Sequence, residues 1–180
     1  MRVNLIRRRQ SLRGDSGVTM IEWMIAGVVM VVGFLGMMIL IMTAIATNNR
    51  NKMDTNATLV AQMVFEEIRS DLATGTSPTI TDCGGTTWTI GVGSNTVGSA
   101  TGAALSGANI DFTASTVTNY HMDYKVCTAN GGQATYDVRW NVNTLTGGSS
   151  LITVGSKSKG ASSDLKYFAL PVSLRGIAGS

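Results

Sequence analysis

Apolar and polar positions divide this chain into three kinds of pattern. The first is unbroken. From Trp23 to Asn49 there is no charged residue, and Trp23–Ala46 is a run of 24 residues, WMIAGVVMVVGFLGMMILIMTAIA. A helix of about 20 apolar residues spans a bilayer core, so length alone predicts a transmembrane helix. The second pattern is a stripe. Met53, Ala57, Val60, Val64, Ile68 and Leu72 recur at spacings of 4, 3, 4, 4 and 4, which is one face of a helix. Leu59 and Met63 widen the stripe, Glu67 and Asp71 lie off it, and Gly75 supplies a stop signal. The expectation is one helix from about Thr19 to Ala73, roughly 80 Å long at about 1.5 Å per residue. Two helices broken at Thr47-Asn48-Asn49 are the alternative. The first half is apolar all round and needs lipid or other helices. The second half is amphipathic and needs one packed domain.

The third pattern has period two. Tyr120, Met122, Tyr124 and Val126 alternate with His121, Asp123, Lys125 and Cys127. Tyr136, Val138, Trp140 and Val142 alternate with Asp137, Arg139 and Asn141. Leu151–Val154 reads as a short strand, and Phe168, Leu170, Val172 and Leu174 alternate from Tyr167 to Leu174, with Pro171 suited to an edge strand. Gly131-Gly132 and Gly147-Gly148 mark turns. Consecutive antiparallel strands with one buried face follow, and Trp140 is expected in that core. Residues 75–119 are rich in Gly, Ser and Thr, and 16 of the 21 glycines lie from Gly75 onward. That segment is either a flexible linker or an ordered loop crossing the sheet. A short strand is expected near 86–92, where Trp88, Ile90 and Val92 alternate.

The fold class is therefore α+β. A long N-terminal helix, half transmembrane and half amphipathic, packs on a small antiparallel β-sheet. The segments are 1–17, 18–47, 48–74, 75–119 and 120–180, in order a basic leader, an apolar helix, an amphipathic helix, a connecting region and a sheet.

Charge adds an orientation. Arg2, Arg7, Arg8, Arg9 and Arg13 precede the apolar run, and only Asp15 offsets them. Basic residues stay on the cytoplasmic side, so the C-terminal part is exported. After the apolar run the nine basic and nine acidic residues balance, and the basic character belongs to the leader. Lys157, Lys159 and Lys166 form a local basic cluster, ordinarily a solvated face and at most a weak contact for nucleic acid or an anionic surface. The aromatic residues are not interleaved with these lysines, which argues against a base-stacking platform.

Composition excludes several chemistries. At 180 residues the chain suits one modest domain, or a small domain plus an appendage. His121 is the single histidine, which rules out a multi-histidine metal site and leaves a lone surface histidine as the ordinary reading. Two cysteines exclude a four-thiolate zinc site. Asp82, Asp111, Asp123, Asp137 and Asp164 do not follow the spacing of a calcium-binding loop, and no G-x-S-x-G motif occurs. No enzymatic activity, metal or cofactor is expected. Cys83 and Cys127 lie in the exported part, where a disulfide is permitted, and with no C-x-x-C a structural bridge is favoured over a redox role.

The N-terminus is not an ordinary secretory signal. The apolar run is too long, and no small-residue cleavage site follows it before Thr47-Asn48-Asn49-Arg50. Glu22 stands at the start of the run, in Gly17-Val18-Thr19-Met20-Ile21-Glu22-Trp23. An acid within apolar sequence costs about 2.5–3.5 kcal/mol on insertion scales when central, less near the interface. Such a residue usually has a partner; solvation near the headgroups is the other reading.

The run Gly17–Glu22, with the basic leader before it and the apolar helix after it, resembles the processing site of type IV pilins and type II secretion pseudopilins. The resemblance implies a cut between Gly17 and Val18 by prepilin peptidase and methylation of the new amine of Val18. It implies that Glu22 pairs with the N-terminal amine of a neighbouring subunit as helices pack into a fibre. Val18 stands where phenylalanine is commonest. The strand Tyr136–Val142 also looks like that of PilV-type minor pilins, and the absence of proline before Pro78 sets the chain apart from many major pilins. The implied protein is a minor pilin, held in the inner membrane with its C-terminal domain periplasmic and then assembled at the cell surface. Its partners are other pilin subunits and the peptidase. A secretion pseudopilin shares every N-terminal feature. An uncleaved membrane-anchored binding domain is the alternative from another class.

Overall fold

The computed structural model describes residues 17–72, 75–93, 96–127, 131–160 and 170–179. Residues 1–16 of the leader expected at 1–17, with Lys166 and Phe168, lie outside them. One helix, α1 (Met20–Asp71), continues through Thr47-Asn48-Asn49 without a break. Threonines along it turn their hydroxyls back onto carbonyls of the preceding turn, Thr55 onto Asn51 at 2.8 Å and Thr58 onto Asp54 at 2.9 Å. Gly75 adopts φ 67° and donates its N–H to the carbonyl of Asp71 at 3.0 Å. That is the left-handed C-terminal cap a glycine reaches without a Cβ penalty.

The chain forms two compact units, one up to Ala46 and one from Thr47 onward. In the first, every residue of α1 before Ala46 is exposed, including Ile25, Val29, Phe34, Leu40 and Ile45. The second unit contains all nine strands found among the described residues. In chain order they are β1 (Thr79–Thr81), β2 (Thr87–Thr89), β3 (Ala100–Gly102), β4 (Leu105–Ser106), β5 (Asn109–Ile110), β6 (His121–Cys127), β7 (Gln133–Thr144), β8 (Ser150–Lys159) and β9 (Val172–Ala178).

β6, β7, β8 and β9 pair consecutively and antiparallel, as the alternation predicted. β7 is long enough to carry two partners on one edge, β6 opposite Gln133–Arg139 and β3 opposite Asn141–Asn143. β1–β2 and β4–β5 form separate two-stranded hairpins.

The expected helical stripe is the packed face. Ala57, Val60, Ala61, Val64 and Ile68 of α1 join Met122, Tyr136, Val138, Trp140, Val142, Ile152 and Val154 in one buried cluster. Met53 and Leu59 do not take part and stay exposed. Gly176 of β9 lets the helix come close. A Cβ there would stand 2.6 Å from the ring of Phe65.

Three expectations change. β7 is buried on both faces rather than one, because the chain from 103 to 114 crosses the side of the sheet away from α1. Asn141 donates to the carbonyl of Ala103 at 2.9 Å, and Gly155 of β8 lies under Ile110 and Phe112. β8 runs on to Lys159, well past Val154. Its second half is Gly-Ser-Lys-Ser-Lys, which has no apolar alternation for the sequence to display. The last strand takes in Val172–Ala178 with Leu170 and Pro171 outside it, and the expected start at Tyr167 lies outside the described residues. Pro171 has no N–H to give a ladder, so pairing starts one residue later and continues through Ala178.

Candidate functional site

The segment Gly17–Glu22 stands at the start of α1. Gly17, Val18 and Thr19 precede the helix and are exposed. The carbonyl of Thr19 accepts the first helical bonds, from the N–H of Glu22 at 3.0 Å and of Trp23 at 3.2 Å. Thr19 thus occupies the cap and Glu22 the third helical position, the spacing of a T-x-x-E capping box. A carboxylate in the first turn also meets the positive end of the helix dipole. No basic side chain among the described residues pairs with Glu22, and the apolar positions after it lie open. The helix is long and apolar enough to cross a membrane.

The two cysteines are joined. Cys83 lies in the turn between β1 and β2, Cys127 ends β6, and their Cα atoms are 5.9 Å apart. Asp82 beside the bridge is buried. Its carboxylate accepts the N–H of Thr86 at 2.9 Å and the indole N–H of Trp88 at 3.2 Å. Burial alone raises the Asp82 pKa, but these two bonds, with backbone N–H groups nearby, outweigh it and hold the carboxyl below its ordinary range.

A second charged constellation was not legible as such in the sequence. On the sheet face away from α1, Asp137 and Arg139 form a buried bidentate pair, with Nε to Oδ1 at 2.9 Å and Nη2 to Oδ2 at 2.8 Å. Arg139 also donates to the carbonyl of Ala114 at 2.8 Å and lies over the ring of Phe112, 5.3 Å from its centroid. It therefore pins residues 111–114 to the sheet. The same pair raises the guanidinium pKa, Asp137 outweighing burial.

His121 is not the surface histidine expected. Its side chain is only 19% exposed, and Nε2 stands 3.2 Å from Asp123 and 3.5 Å from Asp137. Lys159 completes the network with both oxygens of Asp123 at 2.5 and 2.7 Å, whereas Lys157 remains exposed. Ligand atoms of His121, Asp123 and Asp137 lie within 4.8 Å of one another, a spacing a metal ion could use. Both carboxylates are already neutralised by Arg139 and Lys159, so the arrangement reads as a saturated ion-pair network. The available signal was the cross-strand register, which places His121 opposite Arg139 and Asp123 opposite Asp137.

These features define an α+β protein with one candidate membrane-spanning helix and a disulfide-tied sheet unit. No protein-family model, curated protein or solved structure matches the chain.

Proposed function

We propose that this chain is a minor type IV pilin, a structural and assembly subunit rather than an enzyme. It is made as a precursor, cut by prepilin peptidase between Gly17 and Val18, methylated at Val18 and held in the inner membrane. It then enters a pilus or the complex that starts one. The observation that supports this best is the start of α1. A glycine, a short capped turn and Glu22 lead directly into a helix whose apolar side chains are open on every side. Such a helix gains most by exchanging lipid for other helices, and Glu22 needs a cationic partner that the described residues do not supply. The free amine of a processed neighbour at Val18 is one. A buried acid–amine pair recovers in mutual attraction part of what desolvation costs, whereas a lone charge recovers nothing.

The mass of the N-terminal peptide from protein extracted from its native membrane tests this directly. A peptide beginning at methylated Val18 is expected. A peptide retaining Arg7–Gly17 in most molecules would leave a plain anchor and remove the basis for pairing at Glu22. Given processing, Glu22→Ala should insert in the membrane normally but enter sheared fibres poorly.

A further inference from the structure

We propose that the groove between β2 and the loop before β6 binds a neutral saccharide, either a monosaccharide or the end of a longer glycan. This groove lies in the sheet unit and is independent of the N-terminal segment on which the pilin reading rests. Its volume is about 340 Å³, and it is lined by Thr87, Trp88 and Thr89 on one wall and by 116–119 with His121 on the other. That size falls at the lower end of small-molecule pockets, about 300–1,000 Å³.

The lining chemistry narrows the ligand. Thr89, Thr116, Thr118 and Asn119 offer hydroxyl and amide groups that donate and accept, next to the threonine methyl groups and Val117, while the Thr87 hydroxyl is shared with Thr81 at 3.0 Å. Thr87 and Thr89 turn to one face of β2 and Trp88 to the other, where it packs on the core and gives its indole N–H to Asp82. No Asp, Glu, Lys or Arg lines the groove, so a charged ligand would find no counter-charge. An apolar ligand would strip water from the hydroxyls without replacing it. A polyhydroxyl ring with one apolar face satisfies both halves of the lining.

His121 is set to take part. Its Nε2 is engaged by the carboxylates of Asp123 and Asp137, which only accept, so that nitrogen is the donor. These contacts hold the ring in place at the edge of the groove. Asn119 adds a second sign of a built site. It is the single non-glycine among the described residues with positive φ, at 64°, and its carbonyl is held by the N–H of Gly91 at 2.7 Å. Asparagine tolerates this conformation, and the bond to Gly91 fixes where its amide stands.

The test uses the full chain in a zwitterionic detergent without a sugar headgroup. The probes are the methyl glycosides of glucose, galactose, mannose and N-acetylglucosamine, followed by saturation-transfer NMR. Saturable binding of at least one is expected in the millimolar range. Asn119→Gly keeps the positive φ while removing the amide, and Thr118→Val keeps the shape while removing the hydroxyl. Each should weaken binding about tenfold with unchanged melting temperature. No saturable response to any of the four, or equal binding by wild type and both variants, would overturn the proposal. So would capture of an extended peptide along β2 with no glycoside response. Failure here leaves the N-terminal processing result untouched.

Discussion

Trp140 shows how much rests on single residues in the sheet unit. It is fully buried, and its indole N–H reaches the carbonyl of Gly91 at 2.9 Å, across 49 residues of sequence. Trp140→Phe keeps most of the apolar area but leaves that carbonyl without its donor. An orphaned buried polar group costs about 1–3 kcal/mol, and denaturant unfolding should show a loss of that size. Asp82 contributes in a pH-dependent way. Its carboxyl is held below the ordinary range, so the folded state binds its proton less readily than the unfolded chain. That stability is complete above the ordinary carboxyl value, about pH 4, and is lost as pH falls through the lower folded value. Asp111, held down by the Thr113 hydroxyl and N–H, acts in the same direction from an exposed site. Asp82→Asn should therefore be less stable at neutral pH and show a shallower further loss on acidification, measured as melting temperature between pH 6 and pH 2.

Among the elements, the β1–β2 hairpin is held from outside by a covalent bond. Three residues per strand are too few to stand alone. The hairpin is joined to β6 by the Cys83–Cys127 bridge and by the N–H of Cys83, 3.4 Å from the carbonyl of Lys125. The bridge closes a loop with a sequence separation of 44 residues. In the chain-entropy model that restraint is worth about 4 kcal/mol. Replacing both cysteines by alanine should lower unfolding stability by about 2–4 kcal/mol, and amide exchange should rise first in 79–89. The β4–β5 hairpin is held differently, by the Arg139 clamp on 111–114 and by the space over Gly155. A Cβ at Gly155 would stand 2.9 Å from Ile110, so Gly155→Ala should cost about 1–3 kcal/mol through overpacking.

For the whole molecule, the two units make opposite demands on their surroundings. The sheet unit buries its own core, whereas the apolar part of α1 has none of its side chains covered. Its best 18-residue window has a mean hydropathy of 2.7, and none of that window is buried. Alkaline carbonate washing should leave the full chain in the membrane fraction, and extraction should require detergent. Recovery in the carbonate supernatant would show that the helix does not span.

The sequence by itself determined the helix, its two characters, the stripe that packs, the consecutive strands from β6 to β8 and the pairing of the two cysteines. Each is a local or periodic property, or has one available partner. It did not determine which residues cover the second face of β7, because the chain at 103–114 carries no period and its docking depends on Arg139, Asn141 and Gly155 from distant strands. Nor could it find the environment of His121. Alternation places that residue on the polar side of a strand, a side that ordinarily faces solvent. Only the pairing of β6 with β7 brings Asp137 and Arg139 beside it, and only the crossing chain turns that face inward. Periodicity reports which way a side chain points; what it meets there is decided by segments far away in sequence, and those contacts form only when the chain folds.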